Sequence, residues 1–485
     1  MSNLTDLLPA GAGGKQVSFV ASGTLANGQT VAINSDGTVE AVGDVSEVIG
    51  TEDNFIAETA SWLLSTYDKA NNKIVVVYQP NSTSYGTAAV GTISGGVISF
   101  GTPVVFNTTG STYSGICYHE VENVITIGYY TSGVGGSVIA GVVSGDSISF
   151  GTPVVFDADA SDYYTKITST IDPSLGTNRV FVGYKKVSDG YGYMTSAAVQ
   201  NGTTLGGFTT PVVFESNSLS EVLPVFHEAS RSVLIIYRSS ISSSTRSRLA
   251  DYNASTVGSV TDNLFNGQLS TSDYVAAYDP ETKTIIAGAR VSGTFYVDQI
   301  TYYGNSFVGY FQTRSQAISS QIAYMSGDYD PKLKKFLFVF RNNATNLGNP
   351  IGNYVIEVSV INQSAITIGT FYPYSTQLSY SETAVFDPVT NTLGAVFDSP
   401  NGVDTTVISP SYNNLSDFIG ITDAAISDTA SGSVTIKGGI STNVTGLTPN
   451  ATYYVKSDGS LATTSSSDNA GKALSSTSIN LDYTS

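Results

Sequence analysis

One phrase recurs seven times along the chain, and its spacing leaves few folds open. It consists of an aromatic or aliphatic residue, an acid or histidine, a short polar turn and an apolar run. The copies read "YDKANNKIVVVYQ" from Tyr67, "YHEVENVITIGYY" from Tyr118, "IDPSLGTNRVFVGYK" from Ile171 and "FHEASRSVLIIYR" from Phe226. They continue as "YDPETKTIIAGAR" from Tyr278, "YDPKLKKFLFVFR" from Tyr329 and "FDPVTNTLGAVFD" from Phe386. Successive copies begin 51, 53, 55, 52, 51 and 57 residues apart. Each copy predicts a hairpin. Asp-Pro at Asp172, Asp279, Asp330 and Asp387 opens a turn, because proline presets φ and the Asp side chain accepts nearby backbone N–H groups. The β-rich run that follows reads as a strand. A third strand, a Gly/Ser turn and a fourth strand complete each unit. Four strands in about fifty residues, repeated without helices, is the arithmetic of a β-propeller blade. A row of separate sandwich domains is the alternative, and even spacing without linkers favours the ring.

In the first three copies the fourth strand ends in "FGTPVVF" (Phe100 to Phe106 and Phe150 to Phe156) or "FTTPVVF" (Phe208 to Phe214). A proline inside a strand is tolerated at a sheet edge, where its missing N–H leaves no ladder bond unmade. Pro103, Pro153 and Pro211 therefore predict that these strands are the outer edges of their blades, blunted against pairing with other molecules. The last four copies have lost the phrase.

The two ends share a different phrase. "TVAINSDGTVEA" (Thr30 to Ala41) aligns without gaps to "TYYVKSDGSLAT" (Thr452 to Thr463). Ser-Asp-Gly after an alternating strand predicts a hairpin turn with Gly37 and Gly459 at positive φ. Because a ring brings its first and last blades together, the ends are expected to build one small β module or two adjacent ones. The fold expected is all-β: an N-terminal β segment over 1–50, a seven-bladed β-propeller over 51–417 and a small C-terminal β module over 418–485. "SEVIGTEDNFIA" and "SDFIGITDAAI" read as the matching exits toward the propeller.

Composition narrows the partners. The chain has 485 residues, 41% hydrophobic and 12% charged, with a net charge of −18. That acidity argues against nucleic acid, whose affinity comes from Lys and Arg on phosphates, and against a basic membrane-binding surface. No apolar run reaches the roughly 18 residues of a membrane helix. The lone Cys117 allows no intramolecular disulfide. The start, "MSNLTDLLPAGAGGKQVSF", lacks the charged and apolar regions of a secretory signal, so synthesis in the cytoplasm without general secretion is expected.

The C-terminal stretch "NNLSDFIGITDAAISDTASGSVTIKGG…TGLTPNATYYVKSDGSLATT…AGKALSSTSI" resembles a small module at the ends of tailed-phage fibre and virion structural proteins. "ASGTLANGQTVAINSDGTVEAV" is similar to N-termini of marine-phage virion proteins, and the "GTISGGVISFGTPVVF" units resemble propeller repeats in such proteins. The resemblance implies a virion structural protein, a tail fibre or receptor-binding component that recognises a host surface glycan. Its implied partners are other virion or tail proteins, host polysaccharide and further copies of itself. It carries over no functional residues. A propeller glycosidase, a bacterial surface adhesin and a purely architectural virion part are the alternatives.

Chemistry is sparse. The only histidines, His119 and His227, stand in the turn-acid slot of the hairpin phrase and are expected to act as turn acceptors, so neither a Ser-His-Asp arrangement nor a His-based zinc site is expected. The sialidase turn motif Ser-x-Asp-x-Gly-x-Thr-Trp is absent, and nothing singles out a pair of catalytic carboxylates. No cofactor and no enzymatic activity is expected. "DADASD" offers Asp157, Asp159 and Asp162 at a spacing that could hold Ca²⁺, but lacks the glycine and final Glu of an EF-hand loop, and reads better as a solvated acidic loop. One constellation stands out. Just past the second strand of each unit, one equivalent position carries Gln79, Tyr130, Lys185, Arg238, Arg290, Arg341 and Asp398. Four consecutive cations in so acidic a chain predict a basic arc on one face, flanked by Gln79 and Tyr130. The competing reading makes them strand ends that snorkel and pair with nearby acids. Tyr85, Tyr113, Tyr163, Tyr164, Tyr191 and Tyr193 fall in segments opening on the same face, where they could stack on sugars or simply pack the loops.

Overall fold

The computed structural model describes residues 15–481 except 35, 173–175, 201, 241–244, 260, 265–273, 292–293, 304–305, 314–321, 344–349 and 364. Some strand side chains, those of Tyr113, Asp162, Tyr163 and Tyr164 among them, lie outside the described residues. The chain is all-β and propeller-like, and divides into two units, 49–410 and 1–48 with 411–485. The second boundary thus falls seven residues before the expected 418. No helix among the described residues is long and apolar enough to cross a membrane.

The larger unit is a succession of antiparallel sheets, seven among the described residues, each opening on one copy of the hairpin phrase. Their first strands are Ala60–Asp68, Ser111–His119, Ala160–Asp172, Leu219–His227, Tyr274–Asp279, Ile322–Asp330 and Glu382–Asp387. Each first strand packs on the next, and that of sheet seven packs on that of sheet one. The second strands lie between two such neighbours, so both faces are buried and the run must be apolar throughout. In sheet one, Ile74, Val76 and Tyr78 enter the core shared with sheet seven. The alternate residues Val75 and Val77 enter the core shared with sheet two. This period of two explains "KIVVVY".

The turn acids behave as expected. Asp68 Oδ1 accepts the Ala70 and Asn71 N–H groups at 2.9 and 3.1 Å. Asp330 does the same for Lys332 and Leu333, and Asp387 for Val389. His227 Nδ1 substitutes for the carboxylate by accepting the Ser230 N–H at 3.1 Å. The aromatic before the acid ties sheets together: the Tyr118 hydroxyl accepts the Ala70 N–H of sheet one, and that of Tyr278 the Ala229 N–H of sheet four.

The fourth strand differs from expectation in two ways. In sheets one and two it is split, as Val97–Phe100 with Val104–Asn107 and as Ser147–Phe150 with Val154–Asp157, both halves pairing with the third strand. Pro103 and Pro153 sit in the break rather than inside a continuous strand, and Pro211 directly precedes Val212–Glu215. The missing N–H therefore falls where the ladder is already interrupted. Sheet seven takes its outer strand from before sheet one: Asp53–Ile56 pairs with Gly402–Ser409. "IGTEDNF" (Ile49 to Phe55) is thus a degenerate copy of "FGTPVVF", not an exit from the terminal module.

The surviving letters have jobs. A Cβ on Gly101 would lie 1.9 Å from the Asp146 carbonyl oxygen in the sheet-two turn. One on Gly151 would lie 2.1 Å from that of Thr203 in sheet three, and one on Gly50 would lie 2.3 Å from that of Gly96 in sheet one. The closing phenylalanine reaches the next sheet: Phe106 meets Phe150 and Tyr129, Phe156 meets Phe208 and Tyr184, and Phe55 meets Phe100 and Tyr78.

The smaller unit interleaves both ends. Gln16–Val20, Thr30–Ile33 and Val39–Ala41 share one sheet with Phe418–Thr422 and Ser431–Ile436. Gly37 and Gly459 adopt φ of 84° and 76° in the matched turns, as the Ser-Asp-Gly phrases predict.

Candidate functional site

A cavity of about 600 Å³ lies among the first strands of sheet one and sheets three to seven. Its walls come from the beginnings of those strands: Ala60 to Leu64, Lys166, Leu223, Tyr274 to Ala276, Tyr324 to Ser326 and Tyr380 to Thr383, with Asp398 from a second strand. The ends of the second strands lie opposite these beginnings, since Gln79 pairs with Ser61, Tyr130 with Thr112, Arg238 with Glu221 and Arg341 with Ala323. The sequence-derived arc and the cavity thus occupy the same end of the sheets.

Two aromatic residues are pushed into this cavity by bulges. The pairing slips between Ser61 and Leu64 and again between Ala323 and Ser326. Trp62 and Tyr324, at the same place in these bulges, adopt φ of 60° and 52°. Bulky side chains pay for the left-handed region, and such strain gathers at ligand sites. Tyr324 is 41% exposed and Tyr380 61%.

The arc residues meet different fates. Arg341 lies against the cavity wall: its guanidinium carbon is 4.4 Å from the Tyr380 ring centre and 5.8 Å from that of Tyr324, while Nη1 donates to the Ser379 carbonyl at 2.7 Å. Arg290 Nη1 donates to the Ile322 carbonyl of the following sheet at 2.9 Å. Gln79 turns back on its own loop, donating to the Ser84 carbonyl. Lys185, Arg238 and Tyr130 are half-buried at their strand ends, with Lys185 opposite Gly192 and Arg290 opposite Phe295. The arc is an arc of register, and within it Arg341 touches the cavity lining at Tyr324 and Tyr380.

Sequence reasoning missed Lys166, Trp62, Tyr324 and Tyr380. Trp62 and Tyr324 share one slot, five residues before the hairpin aromatic, where sheet seven has Ser381, whereas Lys166, opposite Gly183, stands where sheets one, four, six and seven have Leu64, Leu223, Ser326 and Thr383. Lys166 Nζ has no hydrogen bond or ion pair among the described residues. Among the described residues the cavity lining has two carboxylates, each accepting hydrogen bonds at one oxygen. Asp398 Oδ1 accepts the Tyr380 and Ser381 N–H groups at 2.5 and 2.6 Å, although burial still holds its pKa above the usual carboxylate value. Glu382 Oε2 accepts the Tyr374 hydroxyl at 2.9 Å and lies 3.1 Å from that of Ser379.

Of the tyrosines, Tyr85 and Tyr191 are exposed. Tyr193 donates to Asp189 at 2.7 Å, beneath the Lys186 amine. Those of Tyr113, Tyr163 and Tyr164 lie outside the described residues. His119 departs from the turn role. Its ring is buried between Thr126 Oγ1 (2.8 Å) and Ser169 Oγ (3.0 Å) of the next sheet, and burial lowers its pKa to about 3. Cys117 beside it is pushed up to about 12 by burial, the opposite of an activated thiol. The acidic loop is also self-satisfied: Asp157 Oδ2 takes the Tyr184 hydroxyl and the Lys186 amine, and Asp159 takes Ser188. Among the described residues no group of three or more His, Cys, Asp or Glu could hold a metal; the side chain of Asp162 is not among them.

No protein-family model matches the chain, and no curated protein matches it. Among solved structures it is similar to the Dos1 propeller, at 10% identity over 79% of this chain and 81% of that one, with a TM-score of 0.42. It is also similar to a putative 6-phosphogluconolactonase from Bacteroides uniformis (11% identity, 77% and 98%, TM-score 0.45) and a Trypanosoma rangeli sialidase (11%, 83% and 59%, TM-score 0.37). Likeness this distant says nothing of ligand or activity.

Proposed function

We propose that the seven sheets are the blades of a closed seven-bladed β-propeller that binds a host-surface glycan in its axial cavity, as a receptor-binding or fibre component of a phage virion. Cyclic packing of the first strands and completion of sheet seven by Asp53–Ile56 support the ring. The observation that carries the binding reading is the cavity, with strained Trp62 and Tyr324 and exposed Tyr380 among serine and threonine side chains. Aromatic faces stack on the C–H faces of sugars while hydroxyls satisfy theirs, and the volume falls within the roughly 300–1,000 Å³ of small-ligand sites. Binding rather than hydrolysis is favoured because Glu382 and Asp398 spend oxygens on fixed donors. The virion setting rests on the resemblance of the end segments.

The test is calorimetric binding of host-surface polysaccharide to the full chain and to a Trp62→Ala/Tyr380→Ala double variant. Two aromatic platforms at about 0.5–1.5 kcal/mol each predict a loss of roughly five- to a hundred-fold. Unchanged binding by a variant of unaltered melting temperature would overturn the reading.

A further inference from the structure

Resting on that glycan reading, the structure carries an inference about which sugars enter. Among the described residues, the wall of the axial cavity holds one cation, Lys166, from the first strand of sheet three. It is half-buried, and its amine has no hydrogen bond or ion pair among the described residues. A charged amine facing a partly enclosed cavity gives up hydration that only an anion or dense hydrogen bonding returns. The wall does not supply that anion ready-made, since the carboxylates of Asp398 and Glu382 serve donors of sheets six and seven. The slot is also specific. At the equivalent place in sheets one, four, five, six and seven stand Leu64, Leu223, Val275, Ser326 and Thr383, so among the described residues this position offers a single cation amid apolar and hydroxyl side chains.

We infer that Lys166 reads a carboxylate borne on a sugar ring seated against Trp62 and Tyr380, so that the ligand is a polysaccharide containing carboxylated sugars. Arg341 acts beside it as a positioning residue. With Nη1 on the Ser379 carbonyl and its guanidinium against Tyr380, it holds that ring at the cavity mouth. The chain's net charge of −18 repels anions at long range, so selection must come from close contact and weaken with salt.

The experiment uses the full chain with polygalacturonate, carboxyl-reduced polygalacturonate, polysialic acid and dextran sulfate as probes. The wild type should prefer one or both carboxylated polymers over the reduced one, and which of the two it prefers separates a uronic from a sialic source. Lys166→Met should lose about ten- to a hundred-fold for the preferred polymer and nothing for the reduced one. Lys166→Arg should recover most of the loss. Equal, Lys166-dependent binding of dextran sulfate would show that bare charge is read, and would overturn the carboxylate assignment. If Lys166→Met keeps the wild-type preference while Trp62→Ala weakens every polymer, the inference fails and the glycan reading stands. If the wild type binds none of the four, or Trp62→Ala changes nothing, both fail.

Discussion

Replacing Gly101 by alanine tests whether neighbouring sheets are locked together by the repeated glycine. The added Cβ would stand 1.9 Å from the Asp146 carbonyl oxygen and 2.8 Å from Asp146 Cβ. Carbon and oxygen need about 3 Å or more, so the sheet-two turn must retreat by roughly 1 Å, and the nearest atom is backbone that cannot rotate aside. Overpacking of this kind costs about 1–3 kcal/mol. Loosening the adjacent Phe106–Phe150 pair, whose centres are 5.1 Å apart, adds about 0.5–1.5 kcal/mol. For a unit of roughly 360 residues the unfolding entropy is about 0.75 kcal/mol/K, so a 2–4 kcal/mol loss lowers Tm by about 3–5 °C. Differential scanning calorimetry should resolve that shift. Gly207→Ala is the control, because nothing lies within 4 Å of its Cβ. Gly50→Ala, at 2.3 Å from the Gly96 carbonyl, should behave like Gly101→Ala and reads the contact between sheets seven and one. If both variants melt within 1 °C of the control, the glycines are not steric locks and this account of the repeat is wrong.

Two further outcomes are expected. His119 titrates near 6.5 when unfolded but is lowered to about 3 by burial, so its contribution is full above pH 6.5 and is lost as pH falls toward 3. Urea midpoints measured from pH 7.5 to 4 should drop less steeply for His119→Gln than for the wild type, and parallel profiles would refute the assignment. In the smaller unit, residues 411–485 expressed alone should give poorly dispersed NMR spectra, because their first sheet needs the strands of residues 16–41 on both sides. Supplying 1–48 in trans should restore dispersion, and a well-folded isolated segment would count against interleaved folding.

The hairpins were legible because two local requirements write themselves into adjacent residues. A strand buried on both faces must be apolar, and a tight turn needs an acceptor for its N–H groups. The fourth strand of sheet seven was not legible as a copy, since "IGTEDNF" keeps only the glycine, threonine and phenylalanine of "FGTPVVF". Gly50 and Phe55 are the residues that touch the next sheet, whereas Asn54 and its counterparts Val105 and Val155 are exposed. Counting roles rather than letters would have found it. The site inverts this rule. The cation arc was visible as a register position, but what each cation meets depends on a neighbouring sheet: Arg290 on Ile322, Arg341 on Ser379 and Tyr380. Two neighbouring slots line the cavity, one carrying Trp62, Tyr324 and Ser381 and the other Leu64, Lys166, Leu223, Ser326 and Thr383, and no repeated letter draws attention to either. Structural positions of a repeat must agree, because each sheet meets the same neighbour in the same way. An asymmetric ligand lying on the common axis meets every sheet differently. The slot where facing copies differ most in chemistry, while pointing at one cavity, is therefore where a binding function on such a ring is to be sought.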